Sequence, residues 1–123
     1  MTLAELRFAT LTQLGDASGD DAFYPDEELN LWLNEGLTSA HNALRFLLPE
    51  EYYDAPQPMD GDEDEPGLPA EYHHLLPIWA TARGLRKAGD ASGERQKLAE
   101  FRDVITQSIT ALVLATDTPD EIS

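Results

Sequence analysis

LPAEYHHLLPIWATARGLRKAGDASGERQKLAEFRDVITQSITAL, residues 68–112, reads as two helices joined by a turn. Tyr72, Leu75, Leu76, Trp79, Ala82 and Leu85 recur at three- and four-residue steps, and Leu98, Phe101, Ile105, Ile109 and Leu112 do the same. Between these apolar stripes, Ala88-Gly89-Asp90 offers a glycine suited to the left-handed position after a helix and an aspartate suited to an N-cap. The spacing predicts an antiparallel helical hairpin. Pro77 removes one backbone hydrogen bond and presses on the carbonyl of His73, so the first arm should bend or restart there.

Two further helices precede the hairpin. Thr2-Leu3-Ala4-Glu5 has capping-box spacing, and Leu3, Leu6, Phe8, Leu11 and Leu14 give the helix it opens an apolar side. Gly15 and the short polar residues after it end that helix; Gly-Asp-Ala-Ser-Gly recurs at 89–93, the same turn solution used twice. Next, Pro25 suits a first helical turn, and Asp26, Glu27 and Glu28 complement the positive end of a helix dipole. Leu29, Trp32, Leu33, Gly36, Ala40, Ala43, Leu44 and Leu47 form its stripe, ended by Pro49. Small residues at Gly36, Ala40 and Ala43 would let another helix approach closely; the third helix, with Ala80, Ala82 and Gly84, is the expected neighbour.

Composition shifts abruptly over residues 49–67, where four prolines, two glycines and eight acids stand without a base. Such a segment lacks the apolar surface to offset its ordering entropy and reads as a long acidic loop, a mobile excursion tethered by Tyr52, Tyr53 and Met59. The expectation is one all-α domain over residues 1–123: a small four-helix bundle with helices near 2–14, 26–48, 70–88 and 92–115, that loop between the second and third, and a tail over 116–123. The chain's 123 residues leave room for a single modest core.

Charge narrows the function classes. Eight basic against 24 acidic residues give a formal −16, the reverse of what gripping a polyanion requires. With no cysteine, disulfides and thiolate chemistry are excluded. No apolar run approaches a membrane span, and no basic segment opens a signal peptide, so a soluble, unexported chain with no membrane partner is expected. Asp60, Asp62, Asp64 and Glu71 imitate a calcium loop, but Glu65 stands where the loop's turn glycine belongs, and a solvated acidic loop is the reading. His73 and His74 point about 100° apart on a helix, His41 sits alone, and Glu71 with His74 lacks the second pair that a di-metal bundle needs. Neither a nucleophile elbow nor a phosphate-binding glycine loop is present. No catalytic residue, metal ligand or cofactor is assigned, and an enzyme is not expected.

Six of the eight bases, Arg83, Arg86, Lys87, Arg95, Lys97 and Arg102, fall within residues 83–102, whereas residues 1–82 hold Arg7 and Arg45 against seventeen acids. Two readings stand side by side: pairing along the helix surface with Glu94, Glu100 and Asp103, or contact between the basic hairpin of one subunit, through Arg83, Arg86, Lys87 and Arg95, and the acidic side of the next. Residues 111–115, Ala-Leu-Val-Leu-Ala, are apolar on every side. With the lone Ile122 of a polar terminus, Leu112, Val113 and Leu114 are the expected docking residues for a neighbouring protein.

The Pro69-started helix with Tyr72, the Leu75-Leu76 and Trp79-Ala80 steps, Ala82-Arg83-Gly84-Leu85, the Gly89-Asp90 turn and the long amphipathic helix after it form one pattern. Together with YPDEELNLWLNEG at 24–36, it resembles the head-to-tail connector (adaptor) proteins of tailed bacteriophages and gene transfer agents over about two thirds of the chain. The resemblance implies a virion protein of the neck, made in the bacterial host cytoplasm. It would assemble as a homo-oligomeric, dodecameric ring between the portal protein and the tail or stopper protein, with DNA only as passing cargo and the C-terminal segment reaching the portal. The alternative from another class is an acidic regulatory or DNA-mimic protein that occupies a partner's basic groove.

Overall fold

A computed structural model of the chain describes residues 1–15 and 23–116. It is all-helical, with four α-helices in the order α1 (Leu3–Leu14), α2 (Asp26–Leu44), α3 (Leu75–Lys87) and α4 (Ala91–Thr116), and no strand among the described residues. Residues 16–22 and 117–123, which hold the first turn expected from sequence and the C-terminal tail with Ile122, lie outside the described residues.

Each helix end follows from a local rule. At α1 the Glu5 amide donates to the Thr2 hydroxyl at 3.3 Å, and the Thr2 amide donates back to the Glu5 carboxylate at 2.8 Å. These bonds hold the Glu5 carboxyl below the usual carboxylate range. α2 tightens after Leu44 into a 3₁₀ turn, Arg45–Leu47, and Leu48 is extended before Pro49. α3 leaves through a Schellman motif: Asp90 donates its amide to the Leu85 carbonyl, Gly89 donates to Arg86, and Gly89 takes φ 83°. Asp90 then accepts the Gly93 amide at 2.8 Å and caps α4.

The expected third helix is divided. A 3₁₀ turn, Ala70–Tyr72, precedes α3, which restarts at Leu75, so Pro77 falls in the first turn, where its missing amide would have no helical acceptor. α3 is the central rod. Leu75, Leu76, Pro77, Ile78, Ala80, Thr81, Ala82 and Gly84 are all buried because α1, α2 and α4 pack around it. The expected neighbour of α2 is therefore correct, although Gly36 meets Trp79, while Gly84 accommodates Leu14 of α1.

Four positions, Phe8, Ala43, Ile109 and Leu112, leave their expected stripes. Phe8 points outward at 67% exposure while Thr10 is fully buried, its hydroxyl donating to the Leu6 carbonyl. Ala43 is exposed, and Leu37 takes its share of the core. On α4 Phe101 and Ile105 pack inward and Leu98 is half-buried, but α3 begins only at Leu75 and the stripe beyond turns to solvent from Ile109 on; residues 106–116 run about 16 Å further at ~1.5 Å of rise each.

The acidic segment 49–67 differs most from expectation, because it is pinned to the bundle. Its Met59 and Pro66 are buried, as is Leu68 beyond it. The Asn34 side chain clasps Met59 from both sides, donating to its carbonyl at 3.0 Å and accepting its amide at 2.8 Å. His41 bonds the Tyr52 carbonyl through Nε2 at 2.7 Å. The carbonyls of Asp64 and Asp62 accept the amides of Leu3 and Ala4 at 2.8 and 3.1 Å, satisfying donors that α1 leaves open in its first turn. Arg7 joins Asp62 of the segment to Asn30 and Asp26 of α2. Polar anchors supply the order that apolar burial could not.

Candidate functional site

The clustered bases come together at the end of the bundle where α3 finishes and α2 begins. Their antiparallel pairing sets Lys87 2.8 Å from Glu28, and Arg83 3.1 Å from Glu35, one helical turn or more further along. Arg83 also lies over the Trp79 ring, 5.0 Å from its centroid, and Lys87 sits 4.8 Å from the Phe23 ring while donating to the Phe23 carbonyl. Trp32, Glu35, Arg83, Arg86 and Lys87 line an open cleft of 540 Å³. Arg86 is exposed and makes no ion pair among the described residues, so it leaves the cleft with an uncompensated positive charge. Arg95 is exposed on α4 and is not part of the lining.

Among the described residues, only part of the basic run pairs along its own helix. Pairing along one helix occurs at Lys97 and Glu100, 3.1 Å apart. Arg83 and Lys87 instead reach across to α2, partners that helical spacing within the hairpin could not indicate.

The far end of α4 forms a second surface. Ile109, Leu112, Val113 and Leu114 are exposed by 41, 42, 48 and 66%. Residues 111–114 of the apolar run stay at the surface of the chain.

A third surface was missed by sequence reading. In the 3₁₀ turn after α2, Phe46 is 95% exposed beside Arg45 and the half-exposed Tyr53, around a groove of 290 Å³. A neighbouring cavity of 260 Å³ shares Arg45 and Tyr53. The available signal was an aromatic residue off the apolar stripe: Leu44, Leu47 and Leu48 turn inward, and Phe46 between them cannot.

The acids that imitate a calcium loop have other tasks. Asp64 accepts the amides of Asp60 and Gly61, both at 2.8 Å, which holds its carboxyl below the usual range, and Asp62 pairs with Arg7. His73 is buried: Nε2 donates to the Leu68 carbonyl at 2.8 Å, and Nδ1 faces the N-terminal ammonium at 2.9 Å. Burial, with that ammonium, lowers its pKa. His41 is buried too, while His74 is exposed. Among the described residues, no group of three or more His, Asp or Glu side chains is placed to hold a metal ion. No described helix is long and apolar enough to cross a membrane.

No protein-family model, no curated protein and no solved structure matches this chain.

Proposed function

We propose that this chain is a structural subunit that assembles with copies of itself into a ring, in the manner of the phage head-to-tail connectors it resembles, joining a portal to a tail or stopper protein while DNA passes through. The observation that supports it best is the division of charge along the bundle. The basic cleft lies at the α3 C-terminus, while the acid-rich segment is bonded to the first residues of α1, near His73 just before α3. The length of α3, about 20 Å, separates them. A cleft with the uncompensated Arg86 at one end and an acid-rich segment at the other favour heterologous contact between copies, and such contacts close into rings when the rotation permits. Arg83, Arg86 and Lys87 make the basic half of that contact, with Arg95 at its margin. The far end of α4 is the docking element for a neighbouring component. A formal charge of −16 suits a wall that DNA slides past.

Light scattering and negative-stain microscopy of the purified chain, alone and with a candidate portal, test this reading. Rings that dissociate as salt rises are expected, since exposed charges are screened beyond about 8 Å at physiological ionic strength. A monomer or dimer that ignores a portal but binds a basic protein tightly would select the acidic-regulator alternative.

A further inference from the structure

α2 carries a projecting ring at one end and a wall of an open cleft towards the other. In the turn that closes α2, Phe46 is 95% exposed and shares a groove with Tyr53. Glu50, Glu51 and Asp54, on the turn that holds Tyr53, are exposed as well. Arg45 is the one base over residues 45–54, against these three acids, and none of the four makes an ion pair among the described residues. Further back on α2, Trp32 and Glu35 face Arg83, Arg86 and Lys87 across the 540 Å³ cleft. Glu35 and Glu28 neutralise Arg83 and Lys87, which leaves Arg86 unmatched. Other acids stand at that end, but Asp26 is paired with Arg7, Asp90 holds the Gly93 amide, and Glu27 lies outside the lining. Glu35 is separated from Phe46 by at least about 16 Å of rigid helix, so Phe46 cannot fill the cleft of its own chain.

We propose that the Phe46 turn of one copy seats in the Arg86 cleft of the next, the ring inside the cleft and the carboxylates of Glu50, Glu51 and Asp54 turned toward Arg86. This rests on the assembly reading above and names the acidic half of its contact. Charge complementarity selects the occupant: the turn has an excess of carboxylates without partners, and the cleft has a guanidinium without one. The acidic turn would repel its own counterpart in a symmetric pair, so the contact is head-to-tail. Phe46 is the anchor, because a large rigid ring gains most when water is excluded from it, and a guanidinium packs favourably on an aromatic face. Each added copy brings a new projecting ring and a new open cleft, so the same contact repeats.

The chain has only two lysines, Lys87 and Lys97, which makes carbodiimide coupling of lysine to a touching carboxylate easy to read. Isotopically light and heavy wild-type chains are mixed, assembled and coupled. Amide bonds between Lys87 of one copy and Glu50, Glu51 or Asp54 of another are expected beside the Lys87–Glu28 bond within a chain. Phe46→Ser should weaken self-association at least about tenfold, with helical circular dichroism unchanged because the ring is exposed. Arg86→Glu should weaken it similarly, as should Glu50→Lys with Glu51→Lys. All three changes in one chain should restore most of the association, since the charges are then exchanged across the contact. Intercopy bonds only at other carboxylates, or no recovery in the triple variant, overturn the proposal. Rings that still form from Phe46→Ser protein would overturn it while leaving the ring reading intact. Open filaments from wild-type protein, lost in Phe46→Ser, would sustain the contact and remove the ring. A wild-type chain that stays monomeric at every concentration would remove both.

Discussion

Gly36 lies so close to Trp79 that a β-carbon built on it would stand 3.0 Å from the Trp79 Cβ. The obstacle is the root of a side chain, fixed by the α3 backbone, and cannot swing away. Gly36→Ala should therefore lose more to overpacking than it gains in helix propensity. A net destabilisation of about 1–2 kcal/mol in urea unfolding is expected, against the ~1 kcal/mol gain of an open helical site. Gly84→Ala is the control: its tightest contacts are the Leu14 methyls at 2.8 Å, a flexible side-chain end that moves more cheaply, with the Tyr24 ring edge at 3.3 Å. A stabilised Gly36→Ala protein would mean that α2 and α3 are free to separate.

The Asn34 clasp makes the acidic segment part of the fold. Asn34→Ala removes both bonds to Met59 and should cost about 1–3 kcal/mol. Excising residues 55–65 should lower the thermal midpoint by several degrees, since it uncovers the Leu3 and Ala4 amides and deletes buried Met59. A mobile loop, as composition alone suggested, would be excised without effect. An unchanged midpoint would restore that view.

Acid should destabilise the chain through His73. Its folded pKa lies below the usual ~6.5, so as pH falls the unfolded chain takes up the proton first and stability drops. The loss begins near pH 6.5 and stops growing once the folded imidazole also protonates. The carboxyls of Glu5 and Asp64 are held low, so their contributions disappear only in the more acidic carboxylate range. Unfolding free energies between pH 7.5 and 5 should slope upward with pH, and His73→Gln should flatten the slope. An equal slope in both proteins would place the titration elsewhere.

Assembly through the cleft should depend on Arg86 more than on Arg95, because Arg86 lines it and Arg95 does not. Arg86→Glu is expected to abolish ring formation while changing unfolding stability by no more than about 0.5 kcal/mol. Arg95→Glu should weaken assembly only modestly. The reverse order by light scattering would move the contact to α4.

Truncation after Thr110 should keep the fold, since the last buried residue of α4 among the described side chains is Ile105, and should remove docking at that end. Circular dichroism and portal pull-down together read both. A truncated protein that unfolds, or that binds a portal as before, contradicts the role given to the α4 end.

The helices were legible in the sequence because their determinants are local. Thr2 with Glu5, Gly89 with Asp90, and the three-four spacing of α3 each act within a few residues. Residues 49–67 were misread for the opposite reason. Asn34 with Met59, Leu3 with Asp64 and Arg7 with Asp62 are pairs 25 to 61 residues apart, and composition carries no trace of them. The basic cluster was visible as a run, but its cross-helix partners Glu28 and Glu35 depend on the α2–α3 register. Phe46 was hidden by its leucine neighbours, since only the tightened turn after α2 separates inward from outward there.

The carbonyls that complete the start of α1 belong to Asp62 and Asp64, some sixty residues downstream. A ribosome adding 5–20 residues per second needs about 3–12 s to cover that distance. Of the four helices, α1 thus waits long for its partners, since α3, on which it packs, also emerges later. During that interval the fully buried Leu3 and Leu6 of the finished protein lie open on the nascent chain. They are the natural first target for a chaperone at the tunnel exit.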